Sequence, residues 1–121
     1  MTAPEEEYAG RSLLFVRRLL RADARWPDAR TAAASLPLHQ NDPPPLFSVV
    51  FFDSVPHGHC GLYVGRREAL TMDRMGFPVL QHLRDEALWG GRLLGWIGQE
   101  TFILASRTKP RTESAVDAPP P

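Results

Sequence analysis

The chain has 121 residues, and its 14 basic and 14 acidic side chains give a formal net charge of zero. A protein that binds nucleic acid through a bulk basic face needs a surplus of Lys and Arg, so this balance excludes that class. The single cysteine, Cys60, excludes an internal disulfide framework and a cysteine-rich zinc module.

The apolar runs are all far shorter than the roughly 20 residues that cross a bilayer, so we predict no membrane-spanning helix and no membrane partner. The first ten residues carry three consecutive glutamates and no secretory leader, which predicts a protein that is cytoplasmic as made. Residues 1–10 and the proline-rich 107–121 are predicted to be disordered, because they offer little apolar surface to bury. A single domain is therefore expected over 11–106.

Two helices are predicted at the start of this domain. Ser12 is a candidate N-cap, and Leu13 and Val16 begin an apolar stripe at helical spacing. The arginines on the other face of the helix are interpreted as solvated. Pro27 ends this helix, and the alanine-rich segment 28–35 predicts a short second one.

Most of the remaining chain has the composition of β-strands. Runs of β-branched and aromatic residues bounded by Gly and Pro predict a largely antiparallel sheet behind the helices, which is an α+β fold. One further short helix is predicted over 81–89, and Gly98-Gln99 is interpreted as the turn of a hairpin. The predicted strands are 46–52, 59–64, 68–73, 92–97 and 101–105.

The segment from His57 to Cys60 brings together three candidate zinc ligands, two histidines and one cysteine. A complete site would need a further ligand, and His39 and His82 lie at no recognisable metal-site spacing. Histidines beside a glycine are also common in turns, so a metal site is the minor interpretation. Cys60 is predicted to be a small buried residue, because His59 on the same strand points to the opposite face and cannot readily serve as its base.

Four segments resemble the NlpC-type family of cell-wall cysteine peptidases. The strand 49–52 resembles the family strand that ends in VFF, and 59–65 (HCGLYVG) resembles its HVGIYxG strand. The segment 12–16 resembles the CSGFV motif that opens the nucleophile-bearing helix. The segment 83–95 resembles the closing L-D-x-x-x-W-x-x-R-L-x-G region, most closely in the versions carried in phage tail gene clusters.

This resemblance implies a papain-like fold, a peptidase that cuts peptidoglycan stem peptides, and no cofactor or metal. It places the nucleophile position at Ser12, where the family has cysteine, with Arg11 before it where the family often has aspartate. His59 would be the general base. The residue that orients the base would be Thr71, or Asp73 if the strand register differs by two.

These departures predict that catalysis is lost. A serine hydroxyl is far less acidic than a thiol and needs a well-oriented histidine, whereas Thr71 is expected to be a poor acceptor for an imidazole N–H. We therefore expect a degenerate NlpC-like domain, a pseudoenzyme, with a binding or assembly role in a phage or prophage tail. Its expected partners are phage tail proteins or peptidoglycan fragments, and virion-tail association would follow.

Two alternatives remain open from the sequence. One is an active peptidoglycan hydrolase that uses Ser12, His59 and either Thr71 or Asp73. The other assumes no relation to this family. In that case the chain is a small intracellular interaction protein whose basic helix face binds an acidic partner.

Overall fold

The computed structural model describes residues 11–41, 43–73, 75–85 and 90–107. The predicted disorder of 1–10 and of 108–121 lies outside these residues. Arg107, which the sequence assigned to the tail, is the last residue of a helix.

The described residues form three helices and a five-stranded, wholly antiparallel sheet, so the predicted α+β class is confirmed. Across the sheet the strand order is β4-β3-β2-β1-β5. No helix within the described ranges is long and apolar enough to span a bilayer. In chain order the elements are α1 (Ser12–Leu20), α2 (Ala29–Ser35), β1 (Val49–Phe52), β2 (His59–Gly65), β3 (Glu68–Met72), β4 (Pro78–His82), β5 (Leu93–Ile97) and α3 (Gln99–Arg107).

The sheet buries apolar side chains on both faces. The helix-facing core is formed by Val49, Phe51 and Cys60 together with residues of all three helices. A second core lies on the opposite face and contains Val50, Phe52, Tyr63, Ala69 and Leu83. Because neighbouring residues of a strand point to opposite faces, β1 and β2 each contribute alternately to the two cores.

The starts of the first two helices differ from each other. Ser12 begins α1 as predicted, but it is the first helical residue and not the N-cap: Arg11 holds that position and makes no side-chain capping bond. In α2, by contrast, the Asp28 carboxylate accepts a hydrogen bond from the Thr31 N–H at 2.8 Å, as an N-cap does. The Ser12 side chain is therefore available for a contact away from its own helix.

Several predicted boundaries are wrong. Residues 101–105, predicted to be a strand, are part of the helix α3. This helix buries Phe102 and Ser106, which lie one turn apart on the same face. Of the predicted helix 81–89, residues 81–82 belong to β4, and 86–89 lie outside the described residues. The first predicted strand starts at Val49 and not at residue 46, since Phe47 adopts a left-handed φ of 66°.

Candidate functional site

Ser12 is held against the start of β2. Its hydroxyl is almost fully buried, and the Cys60 N–H donates a hydrogen bond to Ser12 Oγ at 3.0 Å. The Ser12 side chain thus supplies the acceptor for a buried main-chain donor, which would otherwise carry a desolvation cost. The first residue of α1 is joined in this way to the residue that follows His59.

The Cys60 side chain lies in the helix-facing core and is completely buried. Burial raises the pKa of its thiol to about 12, and a side-chain hydrogen bond with Ser12 opposes that shift only in part. The thiol is therefore protonated at neutral pH, and is neither a nucleophile nor a ready metal ligand. The prediction of a small buried residue at this position is confirmed.

His59 and Thr71 form the second part of the site. Thr71 is fully buried, and its Oγ1 donates to the Cys60 carbonyl at 2.6 Å. Because that bond uses the only hydroxyl proton, Oγ1 acts as the acceptor towards His59 Nε2, which lies 2.9 Å away. This arrangement places the imidazole proton on Nε2 and the basic lone pair on Nδ1. Thr71 is thus a better acceptor than its residue type suggests.

The environment of His59 makes it a weak base. Burial lowers the pKa of its imidazole from 6.5 to about 4, because the charged form loses hydration. The side chain is therefore neutral at pH 7. A general base works best when its pKa lies near the working pH, so the driving force for taking a hydroxyl proton is small.

Ser12 and His59 approach β2 from different sides. His59 pairs with Phe52 of the second core, and strand alternation therefore places its imidazole on the face opposite α1. Gly61 leaves room for Thr71 on that face, since a Cβ there would lie 3.1 Å from Thr71 Cβ. The connection from Ser12 to His59 runs through the Cys60 main chain and the Thr71 hydroxyl.

Asp73, the other candidate orienting residue, is occupied elsewhere. Its Oδ1 accepts hydrogen bonds from the N–H groups of Met75 at 2.9 Å and Phe77 at 3.0 Å. The carboxylate therefore stabilises the turn between β3 and β4. Of the two residues named from the sequence, Thr71 is the one that contacts His59.

The histidines and the cysteine of 57–60 are placed in three separate environments. His57 is exposed, and its Nδ1 lies 3.1 Å from Asp28 Oδ2, at the start of α2. His59 contacts Thr71, and Cys60 lies in the helix-facing core. Among the described residues, no group of three or more His, Cys, Asp or Glu side chains could hold a metal ion.

A cavity of about 510 Å³ opens beside Ser12, between the start of α1, the segment 24–29 and the turn at 57–58. The residues that line it include Arg11, Arg17, Trp26 and Asp28. Sequence reasoning did not find this cavity. The sequence indicates a solvated face at Arg17, and the segments that form the opposite wall meet α1 only in the folded chain.

Comparison with known proteins adds no relative: no family model matches the chain, and no curated protein or solved structure is significantly similar to it.

The lowered pKa of His59 predicts a pH-dependent stability. Between about pH 6.5 and 4 the unfolded chain binds a proton that the folded imidazole does not, so the free energy of unfolding should fall as the pH falls through this range. Chemical denaturation at a series of pH values measures this slope. We expect His59→Gln to reduce it, while His57→Gln, at an exposed imidazole, should retain it. An NMR titration in which His59 shows a pKa near 6.5 would contradict the account.

Proposed function

We propose that this chain is a degenerate NlpC-like domain that binds peptidoglycan fragments or tail proteins and does not cut them. The family part of this proposal rests on the sequence motifs. The loss of catalysis rests on one observation, which is that the buried Ser12 hydroxyl accepts a hydrogen bond from the Cys60 N–H at 3.0 Å. A buried hydroxyl that satisfies a main-chain donor has a structural role that requires no chemistry.

The energetics of proton transfer support the same conclusion. A serine nucleophile has to give its proton to a base during attack, and His59 would have to accept it with a pKa of about 4. The imidazole also leaves β2 on the face opposite α1. The active serine hydrolase is therefore the less favoured alternative.

The cavity beside Ser12 supports a binding role. Peptidoglycan stem peptides carry free carboxylates, and two of the residues that line the cavity, Arg11 and Arg17, carry charge of the opposite sign. Trp26 adds an apolar surface next to them. Residence in a phage or prophage tail would place such a cavity at the cell wall, and follows from the resemblance alone.

We expect the purified protein to release no product from peptidoglycan stem peptides. Ser12→Cys should recover at most a trace, because a thiol with an ordinary pKa of about 8.5 ionises more easily than a hydroxyl but His59 remains a poor base. Chromatographic detection of released peptides measures this. Turnover by the wild type that disappears in both Ser12→Ala and His59→Ala would establish the hydrolase instead.

Binding can be tested separately from cleavage. A soluble peptidoglycan stem peptide, titrated calorimetrically, should bind the wild type, and Arg11→Ala should weaken that binding by roughly fivefold to tenfold through loss of a charge-assisted contact. Arg18→Ala removes the same charge at a residue of α1 that does not line the cavity, and is the control. Equal affinities for the wild type and Arg11→Ala would remove the cavity from the proposal.

A further inference from the structure

The two edges of the sheet are unlike each other. At the β5 edge, residues 38–41 lie alongside the strand, and His39 exchanges two main-chain hydrogen bonds with Trp96 at 2.8 Å each. At the other edge, β4 is the last strand of the sheet. Edge strands expose main-chain groups that can pair with another strand unless something protects them.

The ladder between β3 and β4 shows which main-chain groups point outward. Asp73 N–H bonds to the Phe77 carbonyl, and Leu83 N–H bonds to the Arg67 carbonyl. Hydrogen-bonded pairs recur every second residue, so residues 79 and 81 bond to β3 and Leu80 directs its N–H and C=O away from the sheet. Within the described part of the chain, these two groups have no partner. The Leu80 side chain is also 56% exposed.

We propose that β4 pairs with β4 of a second copy of this chain, antiparallel and about a two-fold axis at Leu80. Each Leu80 N–H then donates to the carbonyl of the same residue in the other copy. On either side of the axis, Pro78 lies opposite His82 of the second copy. Pro78 has no N–H to donate to the His82 carbonyl of the second copy. That carbonyl needs no further donor, because within its own chain it already accepts from the Asp85 N–H at 3.1 Å.

The side chains of β4 also suit self-pairing. A two-fold axis at Leu80 brings this residue against its own copy, and a charged residue at that position would repel itself. Residues 75–83 contain no Lys, Arg, Asp or Glu, and the whole chain has a formal net charge of zero. Leu80 shares its sheet face with Leu70 and Leu62 through the strand pairing, so the dimer would continue this apolar row into the second copy.

Sedimentation velocity on the full chain across a concentration series tests this proposal. We expect reversible dimerisation of the wild type, and at least a tenfold weaker association for Leu80→Lys, which places like charges at the axis. Leu104→Lys introduces the same charge at a residue that is 66% exposed on α3, and should associate like the wild type. An equimolar mixture of Leu80→Lys and Leu80→Glu should recover a heterodimer, because opposite charges then meet at the axis.

The rescue by mixing separates a lost interface from a lost fold, since two unfolded variants would not restore a dimer. Three results would overturn the proposal. They are a wild type that stays monomeric at millimolar concentration, equal weakening by Leu80→Lys and Leu104→Lys, and a mixture that stays monomeric.

Discussion

The contact between Ser12 and Cys60 determines how the first helix meets the sheet. It joins residues 48 positions apart in the chain, and it satisfies a buried N–H at the start of β2. The Cys60 thiol is completely buried, and this burial raises its pKa to about 12. Ser12 also lines the cavity, so a polar group beside the cavity is already hydrogen-bonded within the protein.

The Cys60 main chain links this contact to the histidine. Its N–H meets Ser12, its carbonyl accepts from Thr71, and Thr71 in turn accepts from the imidazole of His59. Ser12, Thr71 and His59 are therefore connected in space, but the connection from Ser12 to the other two runs through the Cys60 main chain. Burial also lowers the pKa of His59 to about 4, so the group is suited to a neutral, hydrogen-bonded role.

Local patterns predicted much of this fold. The stripe after Ser12, the alanine-rich 28–35 and the run starting at His59 all form the expected elements, because their signals lie within a few residues. The run at 101–105 was assigned wrongly: its β-branched and aromatic residues favour a strand, but Phe102 packs against Trp26 with ring centroids 5.6 Å apart, and a helix permits that contact. Counting along the strand pointed to Thr71, whose Oγ1 lies 2.9 Å from His59 Nε2. That this hydroxyl accepts from the imidazole depends on a carbonyl 11 residues away, which no local pattern reveals.

The most direct test of the structural role of Ser12 is amide hydrogen exchange at Cys60. In Ser12→Ala the Cys60 N–H loses its acceptor, and we expect its protection from exchange to fall. The control is the N–H of Tyr63, which lies in the same strand as Cys60 and donates to the Ser48 carbonyl. The loss of protection at Cys60 should be roughly tenfold larger than that at Tyr63. The variant should also retain the fold of β2. Unchanged relative protection at Cys60 would contradict the account, because the hydroxyl would then be free to serve another purpose.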